Sequence, residues 1–162
     1  MASDAPDGRS FAGSSHATAT LAGVGLNLKE KSMEGTRSDQ ANRDVVERFF
    51  AASERGDADA VTSLVDDDMT MEWPQSGERF VGRSNVLAAM AAVEVKPQFA
   101  GQPRLVGSGD LWVLMVPLGY GEDVVQYVAV LELKDQRIRH ATGYWGTPFP
   151  ASEARAPFVD RG

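Results

Sequence analysis

Residues 45–74 constrain the fold more than any other part of the chain, with the sequence VVERFFAASERGDADAVTSLVDDDMTMEWP. Apolar residues at helical spacing predict a first helix, and Gly56 and Asp57 then provide a helix end and the cap of a short second helix. An acidic turn and a strand ending near Trp73 follow. This order predicts a cone-shaped α+β domain in which helices pack on a curved sheet and enclose a pocket.

A third helix and a set of β-strands complete the predicted domain. The third helix is expected to start after a cap at Ser84, and residues 66–68 are expected to form a solvated acidic turn. Hairpin turns are expected at residues 119–122 and 134–136. Segments rich in β-branched and aromatic residues predict an antiparallel meander. The predicted strands are Met69–Pro74, Arg104–Val106, Leu111–Leu118, Val124–Leu133 and Arg137–Trp145.

The two ends of the chain differ in character. Residues 1–37 lack a sustained apolar period, so we predict a disordered extension followed by one domain over residues 38–162. Met33 is a candidate natural start, because the globular pattern begins just after it. The final residues are expected to pack back on the domain through Phe149, Phe158 and Val159.

The composition excludes several classes of function. The chain has no cysteine, which rules out disulfides, thiol catalysis and thiolate metal sites. With 16 Lys and Arg against 23 Asp and Glu, its net charge is −7, which argues against nucleic-acid and anionic-membrane partners. No apolar run has the roughly 20 residues that span a bilayer. We therefore expect a cytoplasmic protein with no metal and no cofactor.

Strand alternation predicts which side chains face the pocket. Met69, Met71 and Trp73 fall on one face of their strand, and Thr70 and Glu72 fall on the other. The first set is either a ligand wall or ordinary core. The hydroxyl of Tyr127 needs a partner, which is either a ligand oxygen or a protein group. Together with the positions that the family resemblance described below implies, the full predicted pocket comprises Phe49, Phe50, Met69, Met71, Trp73, Met90, Tyr127, Ala129 and Trp145.

The outer face of the sheet is predicted to bind a second copy of the chain. Both faces of Leu111–Leu118 are apolar, so periodicity leaves open which face of this strand is inward. Apolar residues on both faces indicate cover on both sides, by helices on one and by a partner subunit on the other. We therefore expect a homodimer through the sheet face.

Few titratable residues are candidates for catalysis. His140 is expected on the outer face beside Ile138 and Thr142, as either a catalytic or an interface residue. Glu78 and Arg79 are placed in a loop at the pocket mouth, where they would form an ion pair or gate a polar ligand. No GxSxG motif is present, so a Ser-His-Asp triad is not supported.

The segments VVERFFAASERGDADAVTSLVDDD, EWPQSGERFVGRSNVLAAM, GSGDLWVL, QYVAVLEL and YWGTPFPASEARAPFV carry a family resemblance. Over residues 40–160 the chain resembles the SnoaL-like branch of the nuclear transport factor 2-like superfamily. This resemblance implies a curved sheet around a long helix, an apolar cavity and frequent dimers. It does not imply one reaction, because the superfamily includes ketosteroid isomerases, polyketide cyclases, epoxide hydrolases and dehydratases.

The isomerase subgroup provides a residue-level test of the resemblance. It implies an oxyanion-hole tyrosine at Phe49, a general base at Trp73 and a protonated acid near Ala129. None of these three side chains can abstract a proton or donate to an oxyanion, so steroid isomerisation is not expected. The resemblance also implies an acid in the last strand, where this chain has Gly143.

Three hypotheses for function follow. The first is a protein that binds a small hydrophobic ligand in an aromatic pocket, with no identified reaction. The second is a polyketide-cyclase- or hydrolase-type enzyme of the same fold. The third is a non-catalytic dimeric protein-interaction module. A sizeable cavity separates the first two from the third, and an acid or His within it favours the second.

Overall fold

The computed structural model describes the backbone of residues 20–160 and the side chains of residues 35–160. Contacts divide the chain into two units, Met1–Gly35 and Thr36–Gly162, and the fold described below is that of the second. The first helix begins at Thr20, so its bounds reach into the segment expected to be an extension. Residues 1–19 lie outside the described residues. The domain boundary after residue 37 and the start at Met33 stay predictions.

The helices follow the predicted order. Gly56 has a φ of +70°, which ends the first helix, and Asp57 Oδ1 accepts a hydrogen bond from Ala60 N at 3.0 Å, which caps the second. Both predictions are confirmed. The helices are α1 (Thr20–Arg55), α2 (Ala58–Leu64) and α3 (Arg83–Ala91), and a 3₁₀ helix spans Glu153–Phe158.

The start of α3 differs from the prediction. Its N-cap is Gly82, with a φ of +85°, and no side chain caps the helix. Ser84 lies inside the first turn, so the prediction of a Ser84 cap is wrong. The reason is that the carbonyl of Gly82 already accepts from Val86 N at 3.1 Å, which starts the helix before Ser84.

The strands form one mixed sheet around the core. The strands are β1 (Val65–Trp73), β2 (Glu78–Val81), β3 (Gln98–Phe99), β4 (Arg104–Ser108), β5 (Leu111–Tyr120), β6 (Asp123–Lys134) and β7 (Arg137–Gly146). Their order in the sheet is β2-β1-β7-β6-β5-β3, with β4 also pairing β5. All pairs are antiparallel except β1–β7, which is parallel and was not expected.

Both predicted hairpins are confirmed. Tyr120 pairs with Asp123, so the β5–β6 turn comprises two residues, and Gly121 adopts the positive φ of +68° that such a turn requires. In the β6–β7 turn, Asp135 and Gln136 have φ values of +50° and +58°. Two successive positive φ angles are the signature of a type I′ turn.

The acidic run is part of a strand rather than a turn. β1 already pairs with β7 at Val65, before residues 66–68, and the pairing shifts register between Val65 and Thr70. Asp66 Oδ1 accepts from Asp68 N at 2.9 Å, which satisfies a backbone donor within the irregular segment. The predicted turn is therefore wrong, because pairing with β7 extends the strand through polar residues that local pattern assigns to a turn.

The inner sheet face is now defined for β5. Trp112, Leu114 and Val116 are buried, whereas the alternate residues Val113 and Met115 are half-buried on the opposite face. On α1, Val46, Phe49 and Ala52 are buried in the same core cluster as Trp112. The phase that periodicity left open is thus decided by the helices.

A register shift in β7 separates residues that alternation placed together. Ile138 pairs with Leu133 and is fully buried, whereas His140 pairs with Glu132 across a shift in register. An extra residue, Arg139, lies between these two pairs. The expectation that Ile138 shares the outer face with His140 is therefore wrong, because an extra residue reverses the alternation of a strand.

The C-terminal segment does not bury its apolar side chains. Phe149 and Phe158 are 80% and 87% exposed, and Val159 is 50% exposed. The 3₁₀ helix in this segment has no buried residue. The expectation that the tail packs back through these residues is wrong.

Within the described part of the chain, no helix has the length and apolarity needed to cross a membrane.

Candidate functional site

A cavity of about 230 Å³ lies between the helices and the inner face of the sheet. Phe49 and Phe50 of α1 and Met90 of α3 form its helical wall. The sheet contributes Met71 and Trp73 from β1, Tyr127 and Ala129 from β6, and Trp145 from β7. Strand alternation accounts for this wall, because inner residues of neighbouring strands are brought side by side by the register.

Met69 is the predicted pocket residue that does not line this cavity. Its side chain is fully buried in the core cluster that also contains Val65 and Ile138. It shares the inner face with Met71 and Trp73, as predicted, but it lies nearer the start of β1. Alternation determines the face of a residue and does not determine its depth along the strand.

The large aromatic rings on this side of the cavity form a continuous row of contacts. Trp73 packs edge-on against Phe80 at a centroid separation of 4.9 Å and against Trp145 at 5.4 Å. Trp145 in turn lies 5.0 Å from Tyr127. Edge-to-face contacts of this kind restrain ring orientation. The cavity therefore has a rigid aromatic side formed by β1, β6 and β7.

Two polar contacts position Trp145. The amide of Gln75 donates to the carbonyl oxygen of Trp145 and accepts from its backbone N–H at 3.0 Å. The Gln75 side chain thereby continues the β1–β7 pairing after β1 has ended at Trp73. The indole N–H of Trp145 also donates to the Tyr120 hydroxyl at 3.0 Å.

Tyr127 brings an uncharged polar group to the cavity. Burial raises the pKa of its hydroxyl above the ordinary value, and the neighbouring Tyr120 raises it further. The phenol therefore stays protonated at physiological pH and acts as a hydrogen-bond donor or acceptor. It is not suited to act as a base.

Charged groups lie at the cavity margin, and the sequence analysis missed them. Glu54, Asp57 and Lys96 line the cavity, as do Phe99 and Tyr120. Glu54 is half-buried, and its Oε1 accepts from Phe99 N at 3.4 Å. Glu54 lies one helical turn after Phe50, so helical periodicity could have placed it beside the pocket. Lys96 lies in the irregular link between α3 and β3, for which no periodicity applies.

His140 is distant from this chemistry. It lies on the outer sheet face, where its Nδ1 is 2.6 Å from Thr70 Oγ1 and its Nε2 is 3.1 Å from Thr142 Oγ1. Both ring nitrogens are thus engaged by threonines of neighbouring positions. His140 does not line the cavity. Its outer-face position agrees with the prediction, and its role as a catalytic or an interface residue stays a prediction.

Glu78 and Arg79 also lie outside the cavity wall. Arg79 Nε pairs with Glu72 at 2.9 Å on the outer face, because the β1–β2 register places these residues opposite each other. Glu78 instead accepts from Ser76 Oγ at 2.5 Å. The expected ion pair between Glu78 and Arg79 and their placement at the pocket mouth are both wrong. Both residues are exposed.

The family model of the SnoaL-like domain matches residues 46–141. The chain belongs to the SnoaL-like domain family. The matched range runs from Val46 in α1 to Ala141 in β7. It includes most of the residues that line the cavity. No protein of curated function matches this SnoaL-like chain significantly.

Solved structures show the same fold. The SnoaL-like chain is 32% identical to an NTF2-like protein of unknown function from Burkholderia xenovorans, with a TM-score of 0.66 over 75% of this chain and 95% of that one. A Kribbella flavida protein assigned as a ketosteroid isomerase is 22% identical, with a TM-score of 0.72 over 77% and 92%. A Xanthomonas campestris protein assigned as a polyketide cyclase is 17% identical, with a TM-score of 0.60 over 67% and 93%. At the last two levels of identity the similarity shows the fold alone.

Proposed function

We propose that this SnoaL-like protein binds a small hydrophobic molecule in its aromatic cavity. The observation that carries the proposal is a cavity of about 230 Å³ whose wall is largely aromatic and aliphatic, with Glu54, Asp57 and Lys96 at its margin. Concave apolar sites with few polar groups are the usual form of small-molecule sites. We also retain the expectation of a cytoplasmic location.

The size of the cavity limits its occupant. A cavity of about 150 Å³ is known to hold benzene, so about 230 Å³ corresponds to roughly nine non-hydrogen atoms. Drug-sized ligands use about 300–1,000 Å³. The proposed ligand is therefore one ring with a short substituent, and a larger molecule would have to protrude through the mouth.

Tryptophan fluorescence provides the test, because two of the three tryptophans line the cavity. Acetophenone and α-methylstyrene are suitable one-ring probes, and either should change the emission on binding. Trp73→Ala should weaken binding roughly two- to tenfold, since it removes ring contacts to the ligand. Trp112→Phe should retain the emission change, because Trp112 is buried outside the cavity wall.

Leu133→Ala is the matched control for stability. Leu133 is 5% exposed in the core and does not line the cavity, so its truncation should cost about 2–5 kcal/mol of unfolding free energy while probe affinity is kept. If Trp73→Ala lowered stability without a selective loss of affinity, Trp73 would be ordinary core. If no probe bound to the wild-type chain, the proposal would fail.

An enzyme of the polyketide-cyclase or hydrolase type is the second candidate, and Glu54 supports it. Its half-buried carboxylate lines the cavity, and among residues 35–160 it receives one long hydrogen bond, of 3.4 Å, from Phe99 N. A carboxylate in that position can serve as a general acid or base. The test is turnover of a panel of aryl ketones and aryl esters by mass spectrometry. Turnover lost in Glu54→Gln with probe binding retained would favour the enzyme.

A further inference from the structure

The Tyr127 hydroxyl is an unassigned polar group in the cavity. Tyr127 lies in a row with Val116 and Trp145 on the inner sheet face, between β5 and β7. Its ring is held 5.0 Å from the Trp145 ring, which is itself fixed by Gln75 and Tyr120. The position of the hydroxyl is therefore determined by the sheet and by the contact with the hydrogen-bonded Trp145.

The other neutral polar side chains around the cavity already have protein partners. The Trp145 indole donates to Tyr120 Oη at 3.0 Å, and Ser53 Oγ donates to the Phe49 carbonyl at 2.8 Å. Among residues 35–160, the Tyr127 hydroxyl has no hydrogen-bond partner. A polar group at an apolar wall without a partner loses free energy when a ligand displaces water from it.

The Tyr127 hydroxyl packs close to the backbone of Gly143. A Cβ atom at position 143 would lie 3.2 Å from Tyr127 Oη and 3.0 Å from the Trp145 ring, which is tighter than an ordinary van der Waals contact. A glycine at this position therefore lets the phenol and the indole lie against β7, and no side chain at position 143 pairs with the hydroxyl. Tyr127 itself lines the cavity.

The protonation state of Tyr127 specifies which ligand groups fit. Burial keeps the pKa of the phenol above its ordinary value, so the group is a neutral donor at physiological pH. Beside Tyr127 and Trp145, a charged carboxylate or ammonium would leave water without a charged partner, because the charged residues Glu54, Asp57 and Lys96 lie at the cavity margin. A neutral ligand oxygen can accept a hydrogen bond from the phenol without bringing a charge into the cavity. A hydrocarbon without an acceptor leaves the hydroxyl unpaired.

We infer that the ligand of this cavity is a neutral one-ring molecule of about nine non-hydrogen atoms, whose substituent oxygen accepts a hydrogen bond from Tyr127. The inference rests on the proposed binding function and adds the polar specificity of the same cavity. Tyr127 is thereby the residue that discriminates an oxygenated ligand from a hydrocarbon of equal shape.

The test compares acetophenone with α-methylstyrene, in which a CH₂ group replaces the carbonyl oxygen. Dissociation constants are measured by calorimetry for the wild type and for Tyr127→Phe, which removes only the hydroxyl. Acetophenone should bind about two- to twelvefold more weakly to the variant, and α-methylstyrene should bind as well or better. Thermal unfolding and circular dichroism verify that the variant is folded.

Tyr120→Phe is the matched control. Its hydroxyl holds the Trp145 indole, so its loss should affect both probes alike. An acetophenone-specific loss in Tyr120→Phe, with none in Tyr127→Phe, would overturn the assignment of Tyr127. Equal effects of Tyr127→Phe on both probes would overturn the inference while leaving the cavity as a binding site. If neither probe bound to the wild type, the proposed function would fall together with it.

Discussion

Phe49, Trp73 and Ala129 all line the cavity, as the sequence analysis expected of these positions. Phe49 and Ala129 are only 5% and 1% exposed, so solvent water does not take the place of a polar side chain at these positions. The side chains that the resemblance to steroid isomerases would require as base and oxyanion donors are therefore replaced by apolar groups within one site. The polar side chains among its lining residues include Ser53, Tyr120, Tyr127, the indole N–H of Trp145, and the charged residues Glu54, Asp57 and Lys96.

We predict that the protein does not isomerise a 3-keto-Δ5 steroid at an enzymatic rate. Loss of one oxyanion donor typically costs about a hundredfold to a thousandfold, and here the base position is apolar as well. A cavity of about 230 Å³ is also small for a steroid. The measurement is the conjugated-enone absorbance that isomerisation produces. It should not rise above a buffer control.

Turnover clearly above that control would contradict the prediction. Glu54→Gln then identifies the source, because Glu54 is the half-buried carboxylate of the cavity. Loss of turnover in this variant would make Glu54 the base. Turnover retained in Glu54→Gln and in Trp73→Phe would mean that another acid, either Asp57 of the cavity lining or one outside it, reaches the substrate.

At the scale of elements, α1 is attached to the β4–β5 turn by polar contacts. Asn42 is 2% exposed, and its Nδ2 donates to the Gly109 carbonyl at 2.9 Å and to Asp110 Oδ1 at 3.2 Å. Asp39 Oδ1 accepts from Gly109 N at 2.6 Å. Because α1 also supplies Phe49 and Phe50, these contacts help to set the distance between the helical wall and the sheet.

We predict that Asn42→Ala lowers the unfolding free energy by about 1–3 kcal/mol, since it removes two partly buried hydrogen bonds and leaves Asp110 without this donor. Urea unfolding measures the change. Gln40→Ala is the control on the same helix: its exposed bond to Asp44 at 2.8 Å should be worth less than about 0.5 kcal/mol. Equal effects of the two substitutions would show that the Asn42 contacts add nothing.

The whole molecule presents an apolar outer sheet face opposite the helices. Met115 and Val128 pair across β5 and β6 near its centre, and both are half-buried. Tyr144 and Leu111 are 42% and 52% exposed. The homodimer through this face stays a prediction, and the observed orientation of β5 and β6 is consistent with it. Large exposed apolar faces of this kind commonly mark interfaces.

We predict that Met115→Lys converts a dimer to a monomer, because it places a charge in the centre of the apolar face. Light scattering at micromolar concentration measures the mass. Val95→Lys is the control, since Val95 is 54% exposed in the link between α3 and β3, away from the sheet face. A monomeric wild type, or a dimer unaffected by Met115→Lys, would contradict the sheet-face interface.

The sequence by itself determined the order of the helices and long strands, the hairpin turns and the alternation of side chains along β1, β6 and the end of β7. These features rest on local physics: helical and strand periodicity, positive φ angles in turns, and the Asp57 cap. The short strands β2 and β3 were not predicted. Trp73, Tyr127 and Trp145 were placed on the cavity wall from alternation together with the family resemblance. The absence of the expected isomerase groups also followed directly from residue identities.

Only the tertiary structure decided what depends on partners distant in sequence. Pairing with β7 extended β1 through residues 66–68, and the extra residue Arg139 moved Ile138 inward while His140 stayed outside. Strand register likewise determines the pairing of Arg79 with Glu72. The packing of α1 and of the α3–β3 link against the sheet determines that Glu54 and Lys96 lie at the cavity margin. A local pattern specifies which way a side chain points, whereas the group it meets is specified by how the elements pack.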